Sequence, residues 1–145
     1  MSTVTVAVLD TNVLVQALIG SPESASARVL DAYYDGRFRL AYSPDTLDEL
    51  LAVLTVSHIR DRHGLSDDEI LDFVASLLPY GERFEGTTRV AAGIVGDATD
   101  AKFLSLAEEA GADYLVTNDH RHLLRLTSHG RTRLVTPAEF LRRLG

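Results

Sequence analysis

The stretch VTVAVL, residues 4–9, constrains the fold more than any other part of the chain. Five of its six positions are apolar, with no alternation between an apolar and a charged face. A near-continuous apolar run of this length fits a strand covered on both faces, and such strands belong to parallel sheets with helices on either side. The run stops at Asp10, and apolar residues resume after Thr11 and Asn12. A carboxylate and an amide at that position read in two ways. One is a cap for the next helix. The other is a cation ligand fixed at the end of a buried strand.

The remaining pattern extends the first strand into a layered architecture. Further strands are expected at residues 38–42, 114–117 and 134–136, with one more short strand near 83–84 or 90–95. Helical spacing fills the intervals at 13–19, 22–35, 44–56, 66–78, 98–110, 120–126 and 137–144. Leu47, Leu50, Leu51 and Leu54 form an i, i+3, i+4, i+7 set, and Ser66 with Glu69 reads as a capping box. Residues 58–64, HIRDRHG, read as a polar connection between helices. Strands that alternate with helices in this order imply an α/β layered fold with a mainly parallel sheet. With 145 residues and no repeat, low-complexity tract or linker, residues 1–145 are expected to form a single domain.

Composition excludes several chemistries. The chain has no cysteine, which removes disulfides, thiolate zinc sites and cysteine nucleophiles. Its longest uncharged stretch, residues 11–22, is too short for a membrane span, and no basic side chain precedes the first apolar run as in a signal peptide. A cytoplasmic protein with no membrane partner is expected. The net charge of −7 alone argues against nucleic acid as a partner. The charge is unevenly spread, however. Residues 1–119 carry 20 acids and 8 bases, whereas 120–145 carry one acid and six arginines.

In open α/β sheets, ligands bind beyond the carboxyl ends of the strands. Asp10 closes the first strand, Glu49 lies on the helix after the second, and Asp119 follows YLVT. Asp97 and Asp100 open the helix that leads into YLVT. Each acid has a plain alternative: a cap for Asp10, Asp97 or Asp119, a first-turn acid for Asp100, a solvated face for Glu49. Their coincidence at one sheet edge points instead to a cation, because clustered carboxylates repel unless protons or metal neutralise them. Oxygen ligands without thiolates favour Mg2+ or Mn2+. Such an ion also resolves the charge conflict, since an anionic substrate would meet metal rather than bare acids.

VLDTNVLV, SPDTLDELL, DATDAKFLSLAEEAGADYLVTND and LVTPAEFL together resemble the PIN-domain family over about residues 4–141. The likeness is closest to the bacterial branch of VapC-like toxins of toxin–antitoxin systems. The resemblance implies a three-layer α/β/α sandwich and a metal-dependent endoribonuclease that cleaves RNA phosphodiesters with Mg2+ or Mn2+. By position, Asp10, Glu49, Asp100 and Asp119 match the family's acidic quartet, Asn12 and Thr117 its polar supports, and Asp97 an additional acid. Asp10 and Asp100 are expected as direct ligands, and Glu49 and Asp119 as ligands of a second ion or holders of water. An RNA substrate, a cognate antitoxin and a homodimer are the partners it implies.

Arg121 and Arg125, with Arg131 and Arg133, are candidates for phosphate contacts or plain surface charge. His120 and His122, two apart, do not share a helix face and make a poor zinc pair. A phosphatase with an aspartyl nucleophile would want an acid where Asn12 stands, and Lys102 is misplaced for a receiver domain. The alternative that survives is a non-catalytic PIN-like module acting through a protein partner.

Overall fold

A computed structural model describes residues 4–86 and 98–145. In chain order the elements are β1 (Val6–Leu9), α1 (Thr11–Ile19), α2 (Ala25–Tyr34), β2 (Arg39–Tyr42), α3 (Pro44–Thr55), α4 (Ser57–His63) and α5 (Asp67–Ser76). There follow β3 (Gly81–Arg83), α6 (Ala98–Ala110), β4 (Tyr114–Val116), a 3-10 turn at Leu124–Leu126, β5 (Ser128–His129), β6 (Thr132–Val135) and α7 (Pro137–Leu144). The strands form one sheet in the order β3-β2-β1-β4-β6-β5. All its pairs are parallel except β5 with β6.

The two faces of β1 explain why its sequence does not alternate. Ala7 and Leu9 face one core cluster, which α1, α2, α3, α5 and α7 cover; Val8 faces a second, built mainly on α6. The same division runs through β4, where Val116 joins the first cluster and Leu115 the second. Helices on both faces of a mostly parallel sheet give the expected three-layer arrangement. On the first face Phe140 of α7 is fully buried, its ring 5.0 Å from Phe38 and 5.5 Å from Tyr114, both edge-on. On the second, Phe103, Leu104, Leu106 and Ala107 are almost wholly buried, which fits a helix with apolar residues on most of its sides.

Chain direction reverses at the centre of the sheet. From β1 the chain moves outward through β2 to β3, then returns to place β4 on the other side of β1. The gap between the carboxyl ends of β1 and β4 is therefore a topological switch point, the usual ligand crevice of such sheets. The Asp10 N–H donates to the Val116 carbonyl at 2.9 Å and holds the two strand ends together.

Three segments differ from the expectation. Residues 58–64 are mostly helical rather than a loop: α4 ends at Gly64 in the left-handed region (φ 66°), and His63 fastens it to the Leu54 carbonyl at 2.9 Å and the Leu65 N–H at 2.9 Å. Residues 120–126 form turns and a single 3-10 turn instead of a helix, although the Asp119 carboxylate accepts the N–H groups of Arg121 and His122 as a helix cap would. The β5–β6 hairpin was not expected from the sequence; Gly130, at φ 58°, makes its tight turn. Of the two places for a further short strand, the first is β3, and 90–95 lies outside the described residues, as does Asp97.

Candidate metal centre at the sheet switch point

Asp10 occupies the N-cap position of α1 with extended backbone, yet its side chain makes no cap hydrogen bond. Its Oδ2 instead accepts the Thr117 hydroxyl at 2.7 Å, from the segment after β4. Asp10 is only 6% exposed. Burial raises its pKa above the ordinary aspartate value; the Thr117 hydroxyl and the Thr11 backbone oppose this, and the charges of Glu49 and Asp119 add to it. Asp10 is thus a buried acid with hydroxyl and backbone partners and two like charges nearby.

Thr117 is fully buried and works in both directions. Its hydroxyl donates to Asp10 and accepts the Asp119 N–H at 2.9 Å. Asn12 does not cap α1. Its Oδ1 accepts the Asn118 N–H at 3.4 Å, tying the start of α1 to the same segment. The two polar side chains flanking the strand ends therefore hold the acids' backbone in register.

Asp119 shows that a cap-like acid and a site acid can be one residue. Its Oδ1 accepts the N–H groups of Arg121 and His122, each at 3.1 Å. Burial would raise its pKa, but backbone N–H groups of His122, Leu123 and Arg121, together with the His122 ring, outweigh that and lower it. Asp119, Asp100 of the first turn of α6 and His122 each offer a ligand atom, all within 4.8 Å of one another. The His122 Nδ1 lies 3.5 Å from the Asp119 Oδ2 and 3.8 Å from the Asp100 Oδ2.

Glu49 completes the series from the far side. The Ser43–Thr46 capping box starts α3 directly after β2, with Pro44 in its first turn, and this sets Glu49 in the second turn beside buried Leu50. The Glu49 side chain is 16% exposed, so it does not belong to a solvated face. Its Oε2 accepts the Thr11 hydroxyl, and its Oε1 lies 3.0 Å from the Lys102 Nζ.

Glu49, Asp10, Asp119 and Asp100 thus form a connected series: the first two and the middle two sense each other electrostatically, and the last two lie within ligand distance. The donor set fits a hard divalent cation, since carboxylate oxygens dominate and buried Asp10 has like charge beside it. Sequence reasoning gave no such role to His122 or Lys102. The i, i+3 step from Asp119 to His122 was the available signal for the first; the two-residue step from Asp100 was the only one for the second.

The C-terminal arginines divide. Arg131 pairs with Asp113 at 2.6 Å, and Arg142 and Arg143 both engage Glu139. Arg121 and Arg125 are exposed and, among the described residues, without an ion-pair partner.

Comparison with known proteins agrees with this fold. No curated protein matches the chain. Among solved structures, PAE2754 from Pyrobaculum aerophilum superposes with a TM-score of 0.57 at 20% identity, over 97% of this chain and 89% of that one. VapBC2 from Rickettsia felis, bound to a DNA fragment from its promoter, gives 0.58 at 18% identity, over 91% and 98%. FitAB bound to the IR36 DNA fragment gives 0.52 at 19% identity, over 90% and 94%. At these identities the likeness establishes the fold. A PIN-domain family model matches residues 6–121, which include Asp10, Glu49, Asp100, Asp119 and both polar supports, and the chain belongs to the PIN-domain family.

Proposed function

We propose that this protein is a metal-dependent endoribonuclease and the toxin component of a type II toxin–antitoxin system. The observation that carries the reading is the carboxylate series at the switch point, which contains a buried acid, Asp10, whose pKa is raised rather than lowered. A buried carboxylate beside like charges destabilises the metal-free fold, and a retained cost of that kind is characteristic of functional sites. Structural likeness to VapBC2 and FitAB supports the toxin–antitoxin part of the reading.

In this reading Asp10 and Asp100 hold a Mg2+ or Mn2+ ion, with Asp119 beside them and Glu49 at the far end. Asp97, outside the described residues, is proposed as a further acid near the same helix start. The ion, when bound, polarises a phosphoryl oxygen and lowers the pKa of a water. The chain's own residues do the positioning. Thr117 fixes the Asp10 carboxylate from one side. Asn12 and the Thr117 hydroxyl hold the segment that carries Asp119. Arg121 and Arg125, exposed on that same segment, are the proposed contacts to phosphates of an RNA strand.

An antitoxin and a second copy of the chain are the proposed protein partners. Leu71, Leu78, Tyr34 and Tyr80, all at least 40% exposed on or next to α2 and α5, are among the apolar residues available to such contacts. Among the described residues no helix is long and apolar enough to cross a membrane, and a cytoplasmic location is proposed.

The test is cleavage of RNA by the purified chain with Mn2+. EDTA should stop it, and Asp10→Asn or Asp100→Asn should abolish it with circular dichroism unchanged. Cleavage that survives EDTA sinks the metal mechanism. A chain that binds Mn2+ but cuts no RNA, with or without partner, is the non-catalytic module instead.

A further inference from the structure

Lys102 is the only lysine in the chain, and its ammonium lies inside the acidic site. It reaches from α6 to α3 and contacts the Glu49 Oε1 at 3.0 Å, while the other Glu49 oxygen takes the Thr11 hydroxyl. Both oxygens of Glu49 are therefore already engaged, one of them by a cation. The other end of the site is built differently. Among the described residues no lysine or arginine side chain contacts Asp10 or Asp119, and the His122 ring lies beside Asp119 and Asp100. The site thus has a resident ammonium at the Glu49 end.

We propose that Lys102 takes the place of a second divalent ion at the Glu49 end, and that its ammonium meets the substrate phosphodiester there. The site then holds one divalent ion, at the Asp10, Asp100 and Asp119 end. An ammonium suits the task. It is a compact point charge with three donors, whereas a guanidinium is a broad planar fork. One donor is spent on Glu49. The side chain is 32% exposed, which leaves the group open to an incoming anion. A cation fixed in place before the substrate arrives stabilises charge that develops on a phosphoryl oxygen, as other preorganised donors do. Glu49 then acts as the positioning residue for Lys102 rather than as a metal ligand. This inference rests on the nuclease reading for its substrate but not for its metal count.

The test counts Mn2+ per chain by isothermal titration calorimetry on the full-length protein, wild type, Lys102→Met, Lys102→Arg and Glu49→Gln. The expected counts are one, two, one and one, because only loss of the ammonium frees the Glu49 carboxylate for metal. Two ions in the wild type, or one in Lys102→Met, overturn the proposal while leaving the nuclease reading intact. No ion in the wild type overturns both. In RNA cleavage at Mn2+ that saturates the wild-type site, Lys102→Met should lower kcat about 100-fold with little change in KM. Its activity should then rise again at higher Mn2+, hyperbolically, as one further site fills. An unchanged kcat in Lys102→Met refutes the phosphate contact.

Discussion

Replacing Thr117 with valine keeps the shape of a fully buried side chain and removes one hydroxyl. That hydroxyl makes two bonds, a donation to the Asp10 Oδ2 at 2.7 Å and an acceptance from the Asp119 N–H at 2.9 Å. A hydrogen bond to a charged group contributes about 1.5–3 kcal/mol, and a backbone N–H left unsatisfied adds about 1 kcal/mol at a half-buried position. The expected loss at neutral pH is about 3 kcal/mol, a fall in Tm of about 6–12 °C for a domain of this size. Urea denaturation of metal-free protein measures it. Two controls separate this account from ordinary packing. Thr117→Ser, which keeps the hydroxyl, should recover most of the loss. In an Asp10→Asn background the acceptor is neutral, so the loss should shrink to about 1–2 kcal/mol. A loss below about 0.5 kcal/mol, or an equal loss in both backgrounds, would refute the claim that Thr117 supports the Asp10 charge.

Asp10→Asn should raise metal-free stability at neutral pH and abolish stabilisation by Mn2+, which in the wild type should reach about 2.7 kcal/mol at one hundred times Kd. Its pH signature has a definite sign. Burial raises the folded-state pKa of Asp10, so its stabilising contribution is complete in acid and is lost as pH rises through that value. Asp119, lowered, runs the other way and contributes above the ordinary aspartate pKa. The advantage of Asp10→Asn over wild type should therefore grow with pH in denaturant titrations with EDTA; an advantage that shrinks contradicts the assignment. Phe140→Ala should cost about 3–5 kcal/mol, because the ring is fully buried between Phe38 and Tyr114, and thermal melts check it. Ser43→Ala, which removes the cap of α3, should cost about 1 kcal/mol in the same assay.

Different physical scales made different parts of this molecule legible. The unalternating run before Asp10 was readable because burial on two faces leaves no room for polar residues, and β1 does separate Ala7 and Leu9 from Val8 across the sheet. Strand and helix order followed from the same periodicities. The β5–β6 hairpin escaped because Ser128 and His129 are too short a run to show one. The segment 120–126 does begin with a cap-like pair of bonds from its first N–H groups to the Asp119 side chain, but only turns and a 3-10 turn follow.

The site acids were legible because each follows a strand or opens a helix, where position along the chain fixes position in space. Their partners were not, because ion pairs between elements depend on rotamers and layer spacing that no local pattern encodes. Lys102 illustrates the limit. Two residues after Asp100 on one helix, it lies on a different side by helical geometry, yet its long stem carries the ammonium across to Glu49. The same contrast answers the question posed by Asp10. The carboxylate stands at a cap position but does not cap, since its lone pairs are directed to Thr117 across the switch point. Asp119 does the reverse, using one oxygen to shape its own turn and leaving the other toward Asp100 and His122. Capping and ligation therefore compete for individual oxygen atoms rather than for residues, and a sequence, which names residues, leaves that division open.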